Sequence, residues 1–190
     1  SLGCEPVISA RSSQKLFERG LSQVASDTVC FPAKLSHGHI LDLIDKKVDR
    51  IFNPMFNRMP SENASAKSFH VCAVVKGYPM VLRYNTQPEE RYGIPYDTPL
   101  FYWMDERTRD LQVIRHFSEE WDFSPDEIRL ALENAKEAQR AFRDALHNAG
   151  TELLKQLQRD GGFAVVIAGR PYHSDPLVNP AEPEDCGNGI

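Results

Sequence analysis

Ser124-Pro125-Asp126-Glu127 opens the stretch that most constrains how this chain can fold. Serine caps a helix, proline suits its first position, and a glutamate three residues after the cap can reach back to it. Ile128, Leu132, Ala135, Phe142, Ala145, Ala149, Leu153 and Leu157 then recur at spacings near three, four and seven. That is the stripe of one helix face. The pattern predicts one long amphipathic helix over about 125–159, weakest at Gly150 and stopped by Asp160-Gly161-Gly162. A helix of this kind either covers a sheet or self-associates, so a homo-oligomer through it is one expectation.

The rest of the chain alternates. Short apolar runs at 6–9, 28–31, 50–54, 69–75, 100–104 and 163–168 read as strands, several continuous enough for parallel strands buried on both faces. Between them lie helical patterns at 12–19 and 33–47, with Leu35, His39, Leu43 and Ile44 along one side of the second, and a shorter one at 79–84. This alternation predicts an α/β chain with a mostly parallel sheet flanked by helices. Residues 1–178 read as one domain, 53–66 as a loop, and 179–190 as a linker-like tail.

The length of 190 residues and an apolar share of 41% suit one sizeable core. A net charge of −5 argues against a nucleic-acid surface. No apolar run approaches the roughly 20 residues a membrane helix needs, and the first residues carry no signal-peptide pattern. Cys4, Cys30, Cys72 and Cys186 are widely spaced. In a chain of this size that favours reduced thiols and a cytoplasmic setting over a disulfide framework.

Three segments can carry chemistry. In Thr28-Val29-Cys30-Phe31-Pro32-Ala33-Lys34, Cys30 stands where a strand ends and a helix begins, with Lys34 and His37 able to add positive charge. Ligands of parallel sheets bind at such strand ends, and a helix amino terminus stabilises a thiolate. The same position equally suits a small buried hydrophobe. Cys72, before Lys76-Gly77-Tyr78-Pro79, sits in a similar context with the same two readings. In Gly169-Arg170-Pro171-Tyr172-His173, Arg170 can hold a phosphate or carboxylate and His173 can transfer a proton. Alternatively Arg170 pairs with Asp175 in a proline-stiffened loop. No GxGxxG, GxxxxGK[ST] or GxSxG is present, so nothing marks a nucleotide or serine-nucleophile site.

Those three segments together resemble a large family of bacterial proteins related to 2-hydroxyacyl-CoA dehydratases and their activators. The resemblance runs from about residue 5 to 179. It implies an α/β, Rossmann-like domain, with an activator ATPase domain or a dehydratase subunit as partner. It further implies that Cys30 and Cys72 are ligands of a 4Fe–4S cluster serving electron transfer or docking, with Cys186 a weaker third candidate. Thiolates are the usual ligands of such clusters. Where the family commonly has another cysteine this chain has Met55, where it tends to have proline after the second cysteine this chain has Ala73, and Pro180 follows Asn179 in place of a histidine. Two further expectations stand beside the cluster. One is a non-catalytic interaction module. The other is an enzyme acting on an acyl-CoA or phosphorylated small molecule through Arg170, His173 and Lys34.

Overall fold

The computed structural model describes residues 2–61, 65, 67–166, 169–175, 177 and 178. Within them the chain divides into two compact units, residues 5–112 with 171–178, and residues 113–170 with 2–4. The tail 179–190, and Cys186 with it, lies outside the described residues.

The first unit is built on helix α2, Phe31–Asp45, with Pro32 in its first turn. Its buried side carries Ala33, Leu35, His37, Ile40, Leu41 and Ile44. The expected side with His39 and Leu43 is therefore not the most buried one; both of those residues are only half-buried. Helix α1, Gln14–Gly20, starts at Ser13, whose hydroxyl accepts the Leu16 N–H. It crosses α2 so closely that a Cβ on Gly20 would stand 2.5 Å from Gly38 N, and one on Gly38 2.1 Å from the Leu16 carbonyl oxygen. Only glycine at both positions permits that approach.

Residues 51–56 and 95–101 run parallel. Strand β1, Ile51–Phe52, pairs with β3, Tyr96–Asp97, and β2, Met55–Phe56, pairs with β4, Leu100–Phe101. The Asn53 N–H donates to the Asp97 carbonyl at 2.9 Å between them, keeping the register continuous. Helix α3, Ala73–Thr86, and the short α4, Pro88–Tyr92, lie between the two strand segments in sequence, so this is a strand–helix–strand unit with parallel strands. Ile40, Leu41, Ile44, Ile51, Leu82, Ile94 and Tyr96 form the core between α2, α3 and the ladder.

Residues 50–54 and 100–104 do contribute parallel strands, β1 and β4, in ladders that are two strands wide among the described residues. Residues 6–9 are not a strand. They lie extended beside α2, where the Ala10 N–H donates to Asp42 at 2.8 Å, Lys46 to the Ile8 carbonyl at 2.8 Å, and Ser9 meets His39 at 2.9 Å. Side chains of a helix, rather than a neighbouring strand, satisfy that backbone. Residues 28–31 turn directly into α2. In 69–75 only His70 makes a bridge, to Arg58, before α3 starts at Ala73. The helix predicted at 79–84 is thus the second half of a longer one that contains Pro79. Of the strand predicted at 163–168, residues 163–166 have no strand partner among the described residues and Phe163, Val165 and Val166 are each more than four-fifths exposed; 167 and 168 lie outside the described residues.

In the second unit, helix α6 runs unbroken from Pro125 to Asp160, straight through Gly150. At about 1.5 Å per residue it is roughly 54 Å long. Ser124 Oγ accepts the Glu127 N–H, while the Ser124 hydroxyl and then its N–H donate to the Glu127 carboxylate and hold that carboxyl below its usual range. Gly161, at φ 68°, ends the helix with its N–H on the Leu157 carbonyl. No helix among the described residues is long and apolar enough to cross a membrane.

Candidate functional site

Cys30 and Cys72 occupy the same structural position in two helices. Each is the residue immediately before the first helical turn, Cys30 of α2 and Cys72 of α3, and each has extended backbone with ψ of 156° and 140°. Neither side chain bonds back to its helix. In α2 Pro32 has no N–H and the Ala33 N–H donates to the Cys30 carbonyl at 3.1 Å, so what these amino ends offer an anion is chiefly the helix dipole. Both residues are thiols, Cys30 exposed and Cys72 half-buried. Neither belongs to the apolar core, so the small-hydrophobe alternative does not describe them.

The two helices meet through His37 and Tyr78. His37 is seven residues beyond Cys30, two turns along the same side of α2. It is 0% exposed, and its Nε2 lies 3.1 Å from Tyr78 Oη, the rings packed edge to face at 5.5 Å. Tyr78 is in the second turn of α3. Its pKa is raised, chiefly by burial and less by Cys30. Side chains on a helix lean toward its amino terminus, so this contact supports the ends that carry the cysteines.

His37 corrects one expectation. Burial lowers its pKa, so at neutral pH it is an uncharged hydrogen-bonding group and adds no positive charge beside Cys30. Lys34, on the first turn of α2, is the cation there. Its ammonium is 3.7 Å from Asp27, a loose pair with an exposed carboxylate that adds little stability.

The third segment is placed differently. His173 lies in a short 3-10 turn, Pro171–Ser174, its ring 4.3 Å from that of Tyr172. Asp175, just beyond, acts electrostatically on His39 of α2, whose pKa is lowered chiefly by burial. His39 follows His37 by two residues, about 200° around the helix. His39 thus lies on a side of α2 different from the one that meets Tyr78. Arg170 is exposed and belongs to the other unit. Met55, where a further cysteine was expected, is half-buried in β2.

Tyr78 was not singled out in the sequence, and His37 only as a charge. The signal was available for His37: Ala33, His37, Ile40 and Ile44 recur at four, three and four residues, a core-facing stripe. Nothing local marks Tyr78.

As a donor set, the described residues contain no group of three His, Cys, Asp or Glu side chains arranged to hold a metal ion. The two thiols at amino-terminal helix ends are chemically suited to an anionic, soft-ligand group, and they supply two of the four thiolates that a cluster usually takes. A family model described as a CoA enzyme activase uncharacterised domain matches residues 1–185. Comparison with curated proteins and with solved structures finds no match.

Proposed function

Because the chain belongs to the family of CoA enzyme activase uncharacterised domains, we propose that it is a docking and electron-transfer domain of a 2-hydroxyacyl-CoA dehydratase activation system. Its partner is the activator ATPase or a dehydratase subunit. Cys30 and Cys72 are two of the ligands of a 4Fe–4S cluster, and the remaining ligands come from Cys186 or from the partner. The observation that carries this reading is the equivalence of the two cysteines, each the residue immediately before the first turn of one of two helices that meet through a part-buried hydrogen bond. A bound cluster supplies a one-electron couple. The chain's own residues hold the two sulfurs at helix amino ends, where the helix dipole would favour the cluster's negative charge. A Rossmann-like sheet is the finer form of the same reading, supported by the parallel strand–helix–strand unit of residues 51–101.

Anaerobic reconstitution with iron and sulfide tests this. The expected result is a visible charge-transfer spectrum with stoichiometric iron and sulfide, lost in Cys30→Ser and in Cys72→Ser. A wild-type chain that takes up no iron, with or without its partner, overturns the cluster.

A second reading is favoured by α6 alone. Phe142, Leu146 and Leu154 are each more than half exposed along its second half, so the domain acts as an interaction module through that helix. Sedimentation of the full chain checks it: a monomer at all concentrations that also fails to bind the activator removes this reading. The enzymatic alternative needs Lys34, Arg170 and His173 to share one acyl-CoA or phosphorylated substrate. Binding of coenzyme A to the full chain, abolished by Arg170→Ala, would support it.

A further inference from the structure

Residues 57–59 and 69–71 lie antiparallel. The Met59 N–H donates to the Phe69 carbonyl at 3.0 Å and the Val71 N–H to the Asn57 carbonyl at 3.3 Å. Those two bonds flank the facing pair Arg58 and His70. In a pair of this kind the backbones approach most closely and both side chains leave on one face. The Lys76 ammonium, from the first turn of α3, lies 3.1 Å from His70 Nδ1. An ammonium only donates, so Nδ1 holds a lone pair and the ring is neutral. One face therefore gathers two full positive charges, Arg58 and Lys76, beside an uncharged imidazole. Like charges held so close repel. The chain has 27 acidic residues against 22 basic ones, and other cations of this unit stand on carboxylates: Arg19 on Asp45, Lys46 on Asp42, Arg50 on Asp97 and Arg83 on Glu89. Arg58 and Lys76 have no carboxylate partner among the described residues, and the buried Arg58 Nε has no hydrogen-bond partner there. A buried N–H of a charged group is costly to leave without an acceptor.

We propose that Arg58 and Lys76, gathered on one face by His70, form a binding site for a phosphomonoester dianion. Charge selects this ligand over a carboxylate. A phosphomonoester carries about −1.5 to −2 at neutral pH and matches two cations, where a carboxylate would leave one of them uncompensated. The guanidinium presents a planar fork to two phosphate oxygens and the ammonium a point charge to a third. His70 is exposed, and Arg58 and Lys76 are half-buried, so the face is open to a ligand from solvent. A free phosphate ion and a phosphorylated metabolite share this chemistry. The site needs no metal and rests on neither Cys30 nor Cys72 acting as a ligand, so it goes beyond the function proposed above. It also differs from the substrate site of Lys34, Arg170 and His173, with which it shares no residue.

The test is titration calorimetry of the full, metal-free chain at neutral pH and low salt. The probes are inorganic phosphate, coenzyme A, and dephospho-coenzyme A, which lacks the ribose phosphomonoester. Saturable binding of phosphate is expected. Arg58→Gln and Lys76→Gln should each weaken it about tenfold or more, the loss of a hydrogen bond to a charged group. Arg58→Lys keeps the charge without the fork and should also weaken binding, while Lys76→Arg should retain it. Arg170→Ala, in the other unit, should change nothing. Coenzyme A held about tenfold or more tightly than its dephospho form, through the same two residues, identifies a metabolite's phosphomonoester as the ligand. Phosphate bound while the two coenzymes are indistinguishable identifies the free ion. The site is overturned if the parent takes up neither phosphate nor coenzyme A, or if the two coenzymes bind alike and phosphate does not bind. It is equally overturned if Arg58→Gln and Lys76→Gln, folded by circular dichroism, bind as the parent does. A chain that takes up no iron leaves this result standing, and a failed phosphate site leaves the cluster untouched.

Discussion

Helices α2 and α6 are both regular, and they are held in opposite ways. In α2, seven of 15 residues are buried: Ala33, Leu35, His37, Gly38, Ile40, Leu41 and Ile44. In α6 one residue of 36 is buried, Ile128. Helix α2 has no side-chain cap and ends without a glycine, and its surroundings hold it: α1 at Gly38, Tyr78 at His37, and the core at Ile40 and Ile44. Helix α6 carries its own stabilisers. They are a capping box, a left-handed glycine at the far end, and the Asp126–Arg129, Glu133–Lys136 and Glu152–Lys155 ion pairs along its surface. Local terms of this size are individually small. The contrast is one of support: the candidate site sits on the helix that packing dictates, and the self-sufficient helix offers its apolar residues to solvent.

Glycine substitutions break the comparison most sharply. Gly38→Ala places a methyl against the Leu16 carbonyl oxygen, a backbone atom that cannot step aside. It should destabilise the chain by roughly 3 kcal/mol, read from urea unfolding. A near-neutral result would mean that α1 and α2 do not cross as closely as described.

The next effect is one of pH. The folded pKa values of His37 and His39 are both lowered, chiefly by burial. The unfolded chain therefore binds more protons, and stability rises with pH across that range. The contribution is complete above about pH 6.5, the unfolded imidazole's value, and is lost as pH falls through the lowered folded values. Asp42 and Asp45 are also lowered, the first chiefly by Lys46 and the second by Arg19, so their contribution is lost only below about pH 4. The urea midpoint should fall in two separate steps on acidification. His37→Gln should shrink the first step and leave the second. A midpoint flat between pH 7 and 5 would contradict the burial of His37.

Two smaller changes probe α6. Ser124→Ala removes a cap and should cost about 1 kcal/mol, seen as faster amide exchange in the first turns while α2 is unaffected. Gly150→Ala meets nothing within 4 Å. It should stabilise the second half of the helix by about 0.5–1 kcal/mol, slowing its exchange. The same substitution type thus has opposite signs in the two helices. Equal signs would erase the distinction drawn here.

How much was legible follows the same division. The start, stop and length of α6 were readable because capping and periodicity are properties of neighbouring residues, and even the doubtful Gly150 proved compatible with them. Residues 69–75 were misread as a strand because Val74 and Val75 favour extended backbone. In the folded chain Cys72 starts a helix there, and the packing of Leu82 and Thr86 keeps it. Residues 163–166 show the converse: an apolar β-branched run that finds no strand partner among the described residues stays extended and exposed. Propensity names the conformation a segment prefers; a partner decides whether it is adopted.

By itself, then, the sequence determined α6, the strand character of residues near 51 and 100, and the placing of Cys30 where a helix begins, since each follows from the chemistry of adjacent side chains. Only the tertiary structure decided that Cys72 begins a second such helix and that His37 is buried and neutral against Tyr78. That hydrogen bond joins residues 41 positions apart, and no local pattern carries information over such a distance. It exists because two helices pack, and packing is a property of the whole core.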